Sequence, residues 1–121
     1  MITRSIECMI KVIIYLYRNP GVHSSLEIAE YLGMNHVYLV KVIQPLVRMR
    51  IIKSRQGTLS GFMLNIDVSQ VTLFDIVNIV SPPRISERDD RFQLLHDVLD
   101  KTTQEYIKSL KKHTLKDLTN E

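Results

Sequence analysis

Between Ser24 and Arg48 the chain is punctuated in a way that few arrangements accept. Ser24-Ser25-Leu26-Glu27 fits a capping box, in which a hydroxyl accepts an orphan amide at a helix start and a carboxylate three residues on reaches back. Leu26, Ile28, Ala29 and Leu32 supply the inward side of a short helix, and Gly33 suits the left-handed position just past its end. Asn35 is placed to cap the next helix, where Val37, Leu39, Val40 and Ile43 are apolar and Lys41 faces away from the main stripe. Two helices joined by a short glycine turn make the helix-turn-helix pattern. Pro45 inside the second helix should kink it or free a carbonyl near Lys41, with Leu46 to Arg50 continuing at a changed angle.

The flanking segments extend the pattern. Arg4 to Arg18 reads as a first helix, with Ile6, Met9, Ile10, Ile13, Leu16 and Tyr17 at helical spacing and a second apolar line, Cys8, Val12 and Tyr15, along its flank. Such two-sided apolarity points to cover from a partner subunit. Asn19-Pro20-Gly21 ends this helix. Ile51 to Arg55 and Phe62 to Leu64 have extended patterns around the turn Gln56 to Gly61, so a two-stranded wing follows the helix-turn-helix. Thr72 with Asp75 three residues later starts a fourth helix, which carries Leu73, Ile76, Val77 and Val80 until Ser81-Pro82-Pro83. After a polar connector, Asp90 to Lys112 reads as a longer helix with Phe92, Leu95, Leu99, Tyr106 and Leu110 in line and Leu94, Val98 and Ile107 beside them; Thr102 and Thr103 interrupt the stripe. At 1.5 Å per residue such a helix is about 35 Å long, more than a small body covers, so pairing with a second copy is expected. The predicted fold is mainly α: a winged helix-turn-helix over residues 1–83, then a connector and long C-terminal dimerisation helix over 84–121.

Composition decides what this fold is for. An apolar share of 45% and a charged share of 24% are ordinary for a soluble domain, and one cysteine excludes an intrachain disulfide or a multi-thiolate zinc site. The apolar run Met9 to Tyr17 contains Lys11, is too short to span a bilayer and lacks a basic start, so a cytoplasmic protein with no membrane partner is expected. The net charge of +3 is unevenly placed. From Arg84 to Glu121 eight basic residues balance eight acidic ones, whereas between Glu30 and Asp67 there is no acid, and Lys41, Arg48, Arg50, Lys53 and Arg55 lie there. One-sign clustering of this kind serves phosphate neutralisation, or is a solvated basic face.

A helix of this diameter fits the major groove and reads bases from its N-terminal residues, here Asn35, His36, Val37 and Tyr38. Asn35 has the alternative role of helix cap and Tyr38 that of surface packing. Lys41, Lys53 and Arg55 suit phosphate or groove contacts, since point charges need less exact placement. Ser25 and Gln56 complete the candidate DNA-contacting set; Arg48 and Arg50 either join it or only solubilise the helix end.

Leu26-Glu27-Ile28-Ala29-Glu30, Gly33-Met34-Asn35, Tyr38-Leu39, Leu46, Ile52-Lys53-Ser54, Gly57 with Gly61-Phe62-Met63-Leu64, Thr72 to Val80 and the closing Thr114 to Leu118 resemble the Rrf-two family of bacterial winged-helix regulators over nearly the whole chain. No single motif is specific, but their order and spacing together are. The resemblance implies a homodimer held by the long helix, recognition helices in two major-groove half-sites of a palindromic operator, and wings in the flanking minor groove. Two departures stand out. Gln56 occupies the place of the family wing arginine and Ser60 that of the first late glycine, while Arg55, one residue early, points the other way on a strand. Cluster-binding members carry three close cysteines before the long helix, where Ser81 to Arg91 has none, so no iron–sulfur cofactor is expected.

Glu7, near a position where some relatives supply a carboxylate ligand, reads as a first-turn charge favoured by the helix dipole. Cys8 is either a thiol sensor or a small buried residue. His96 and His113 reach a shared metal only across a dimer, and His23 has no nucleophile to serve. No Ser/His/Asp grouping, phosphate loop or carboxylate pair suggests an enzyme. The expected function is a homodimeric, sequence-specific transcriptional repressor with an unknown effector. The alternatives are a winged-helix protein-interaction module or a redox-sensing repressor using Cys8.

Overall fold

A computed structural model of the chain describes residues 2–82 and 87–120. Helix α1 (Arg4–Arg18) is the central element, started by Thr3, whose hydroxyl accepts the Ile6 amide. Its two apolar lines are both covered by the chain itself. Ile6, Val12 and Ile13 are fully buried, and Cys8 and Tyr15 on the flank are nearly so. The flank expected to need a partner is therefore packed at home, because α2 (Ser25–Leu32) and α3 (His36–Arg48) lie on one side and α4 (Leu73–Val80) and the C-terminal segment on the other. Tyr17, placed on the inward stripe from spacing, is 42% exposed.

The two helix ends that frame α2 form as the sequence suggests, with one correction. Ser24 accepts the Glu27 amide at 3.1 Å, but the Glu27 carboxylate does not reach back to the cap; it turns to His23 and to the Tyr15 hydroxyl. The reciprocal box is complete at α4, where the Thr72 hydroxyl accepts from the Asp75 amide and the Asp75 carboxylate from the Thr72 amide. Gly33, with φ 66°, closes α2: its amide bonds the Glu30 carbonyl and the Met34 amide bonds the Ala29 carbonyl, a Schellman ending. Helix α3 ends the same way without a glycine. Arg50, with φ 61°, takes the left-handed position, its amide bonded to the Val47 carbonyl and that of Ile51 to the Leu46 carbonyl. Pro45 does not stop α3, which continues through it to Arg48.

Strands β1 (Ile52–Arg55) and β2 (Gly61–Leu64) form the wing, in the register Ile52↔Leu64 to Arg55↔Gly61. Beyond β2 the ladder gains one more rung: His23 and Phe62 exchange both backbone hydrogen bonds, at 3.0 and 2.8 Å. Gly61 permits this approach, since a Cβ there would stand 2.4 Å from the His23 carbonyl oxygen. The wing is thus fastened to the loop before α2.

Helix α5 (Gln93–Lys111) follows a short 3₁₀ turn at Asp90–Phe92. The expected connector, Pro83 to Asp90, falls partly outside the described residues. After α5 the chain returns to the start of α4, where the Leu115 amide bonds the Val71 carbonyl and the Leu73 amide that of His113. This return puts Leu110 and Leu115 into the common core with Ile76 and Val77. Leu110, grouped in the sequence reading with the dimerisation stripe, is packed in its own chain, and Tyr106 is partly buried against the same core. The first half of α5 has no such cover: Leu94 is 78% exposed, and Phe92, Leu95, Val98 and Leu99 are also exposed.

Candidate nucleic-acid interface

Leu39, Val42, Ile43 and Leu46 bury one side of α3, and this fixes what the other side presents. Val37, Lys41, Gln44 and Arg48 are all exposed and recur at helical spacing, so they form one outward stripe. Gln44 was missed by reading charge and end position alone; the spacing from Lys41 to Arg48 was the available signal. At the helix start Asn35 is exposed and its side chain caps α3 by accepting the Tyr38 amide at 3.2 Å. His36 is exposed and tied by Nε2 to the Ser25 hydroxyl at 2.6 Å, so the first residues of α2 and α3 are linked.

Tyr38 sits differently from its neighbours. It is half-buried, and the Arg4 guanidinium lies 5.6 Å from its ring centroid. Burial, followed by the neighbouring Cys8, pushes the Tyr38 hydroxyl above its ordinary range. Tyr38 thus packs back onto α1, which leaves Asn35, His36 and Val37 as the outermost groups at this end. Cys8 is 6% exposed beneath it, an environment of a packing residue rather than an accessible thiol.

Lys53 and Arg55 on β1 and Gln56 beyond it are exposed. Among the described residues Lys41, Arg48, Arg50, Lys53 and Arg55 make no ion pair, whereas Arg88 is engaged by Asp97 and Asp100 and Arg91 by Asp89. The contrast has a simple origin: no acid occurs between Glu30 and Asp67, and Glu27 on α2 is held by His23 and Tyr15. Cations free of internal partners keep their full attraction for an external polyanion.

That Glu27 cluster joins three elements. The Glu27 carboxylate meets His23 Nδ1 and the Tyr15 hydroxyl, while His23 Nε2 faces the Asn19 carbonyl at 2.8 Å. With acceptors at both ring nitrogens, His23 favours its charged form: the Glu27 hydrogen bond raises its pKa, and His23 in turn lowers that of Glu27.

A metal centre does not fit these residues. Among the described residues no three His, Cys, Asp or Glu side chains converge, and the chain's single cysteine is buried. An iron–sulfur group needs several thiolates. His96 is instead engaged by the connector, with its Nε2 accepting the Asp89 amide at 3.0 Å. Among the described residues no helix is long and apolar enough to cross a membrane.

Comparisons with known proteins bear on this surface. The family model described as Rrf2, iron-dependent transcriptional regulator, matches residues 2–121. The fold is similar to that of CymR, the global cysteine regulator of B. subtilis, with a TM-score of 0.82 and 20% identity over 98% of this chain and 95% of that one. It is also similar to T. potens IscR, with a TM-score of 0.79, 22% identity and coverage of 98% and 85%. Staphylococcus aureus CymR gives a TM-score of 0.72, 23% identity and 98% coverage of each chain. In sequence, protein aau3 of Rhizobium meliloti (strain 1021) is 29% identical over 79 residues, 64% of this chain; the match spans about half of that relative, 51%.

Proposed function

The chain belongs to the Rrf2 family of transcriptional regulators, and from that premise we propose that it is a homodimeric, sequence-specific DNA-binding repressor that works without an iron–sulfur cluster. The observation that carries the reading is the outward stripe of α3 beside β1, where Lys41, Arg48, Lys53 and Arg55 make no ion pair among the described residues and lie in an acid-free stretch. In this arrangement α3 enters the major groove, with His36 and Val37 foremost and Gln44 further along. Asn35 serves first as the cap. Lys41, Arg48 and the cations around β1 neutralise phosphates and set the register. Ser25 positions His36 through their hydrogen bond.

The exposed Phe92, Leu94, Leu95, Val98 and Leu99 support a second copy as partner, because a contiguous apolar face of this size is unusual on a monomer. Two copies related by a two-fold axis present two α3 helices, so the operator is palindromic, with half-sites separated by about one helical turn, roughly 34 Å, or a multiple of it. Occupancy of such a site blocks a promoter.

Selection from random duplex DNA with the purified protein tests the reading. Enrichment of a two-fold-related site is expected, with binding that weakens steeply with salt. No enriched site, or binding unchanged by Lys41→Ala combined with Arg55→Ala, would overturn it.

A further inference from the structure

The wing of this chain does not carry its cation where a minor-groove probe needs one. Its turn, Gln56 to Ser60, contains no charged side chain, and Leu59 is 68% exposed there. Arg55 is instead the last residue of β1, opposite Gly61, and lines a notch of about 220 Å³ between the wing and the start of α2. Ser24, Ser25, Ser54, Gln56 and Ser60 line the same notch.

A notch lined by an arginine together with serines and a glutamine has the residue types that contact phosphodiester oxygens. A base held in its stack cannot enter such a recess, whereas a phosphate projects from the duplex. The notch also keeps its positive charge. Arg55 has no ion pair among the described residues, and Glu27 is occupied by His23 and Tyr15. Its shape is fixed by the His23–Phe62 rung, which the missing Cβ of Gly61 allows, and Ser25 links it to His36 on the outward end of α3. Notch and groove-reading helix are therefore joined directly.

We propose that in the DNA-bound dimer this notch seats one backbone phosphate flanking each half-site, so that the wing clamps the backbone instead of probing the minor groove. The inference rests on the DNA-binding reading above. The test uses a duplex enriched by random selection, with each phosphate in turn replaced by a neutral methylphosphonate. One flanking position per half-site should lower wild-type affinity about tenfold, the scale of one charge-assisted contact. Arg55→Ala should lose affinity on the native duplex, be indifferent to that position, and show a salt slope shallower by about 0.9 for each notch. The charge-neutral exchange Arg55→Gln with Gln56→Arg moves the cation to the turn; it should lose the phosphate sensitivity and become displaceable by netropsin, which occupies the minor groove.

Equal sensitivity of wild type and Arg55→Ala to every methylphosphonate overturns the clamp, as does displacement of the wild type by flanking netropsin. Failure of the selection to enrich any duplex brings down the regulator reading, and the clamp with it. An enriched duplex with no phosphate-specific coupling to Arg55 brings down the clamp alone.

Discussion

Helices α1 and α5 carry the same kind of pattern, an apolar stripe with a second apolar line beside it, and the chain treats them in opposite ways. Both lines of α1, Tyr17 apart, are packed against α2, α3, α4 and the returning C-terminus. On α5 Leu110 at the C-terminal end joins the core and His96 is held by the connector, while Leu94, Leu95, Val98 and Leu99 stay open among the described residues. Periodicity thus says how much surface must be covered and leaves open which molecule covers it. The difference lies in the neighbours: α1 packs against α2, α3, α4, the wing and the C-terminal 3₁₀ turn, whereas α5 packs chiefly against α4.

Four experiments break or sharpen this comparison, from the largest effect down. Ile13→Ala, at a fully buried position on α1, should cost about 2–5 kcal/mol in urea unfolding, by the same amount at every protein concentration. Leu95→Ala on α5 should cost up to about 1.5–3 kcal/mol if a second copy covers it, with a loss that grows from near zero toward that limit as protein concentration rises. A change within about 0.5 kcal/mol at all concentrations would show the face to be open in solution and would break the dimer half of the comparison.

The two smaller effects concern the covered side. Arg50→Gly relieves a left-handed position that suits glycine, and should stabilise the fold by about 1 kcal/mol in thermal unfolding. The cluster that ties α1 to α2 predicts a pH dependence, the smallest of the four. The pKa of His23 is raised, so its contribution is complete below the usual histidine value and is lost as pH climbs through the raised one. That of Glu27 is lowered, so its contribution holds above the usual carboxylate value and is lost as pH falls through the lowered one. Thermal stability should be greatest between the two and decline on the alkaline side; Glu27→Gln should flatten that decline, and an unchanged profile would remove the cluster from the account.

Local chemistry was readable wherever one residue type was needed. Gly33 closing α2, Asn35 capping α3 and the Thr72–Asp75 box each require neighbours within a few positions, and each forms. The misses are long-range. The Glu27 carboxylate leaves its cap for Tyr15, twelve residues earlier, and for His23, which is placed by a rung to Phe62. Leu110 joins the core because Leu115 pairs with Val71, a contact no helical period announces. Arg50 conceals a helix ending written without glycine. In the candidate interface, residue types identified the cations, but the inward turn of Tyr38 and the notch beneath Arg55 depend on how three segments meet.

The uneven placement of charge also has a kinetic consequence. A chain with isoelectric point near 9.1 whose excess positive charge lies before Arg84, and whose remainder is balanced, is an electric dipole as well as a weak cation. In the field of a polyanion such a molecule feels a torque before it feels contact, and it turns its α3 and β1 side forward during approach. Fewer encounters are then wasted in the wrong orientation, so the arrangement raises the association rate, and added salt should slow arrival before it loosens hold.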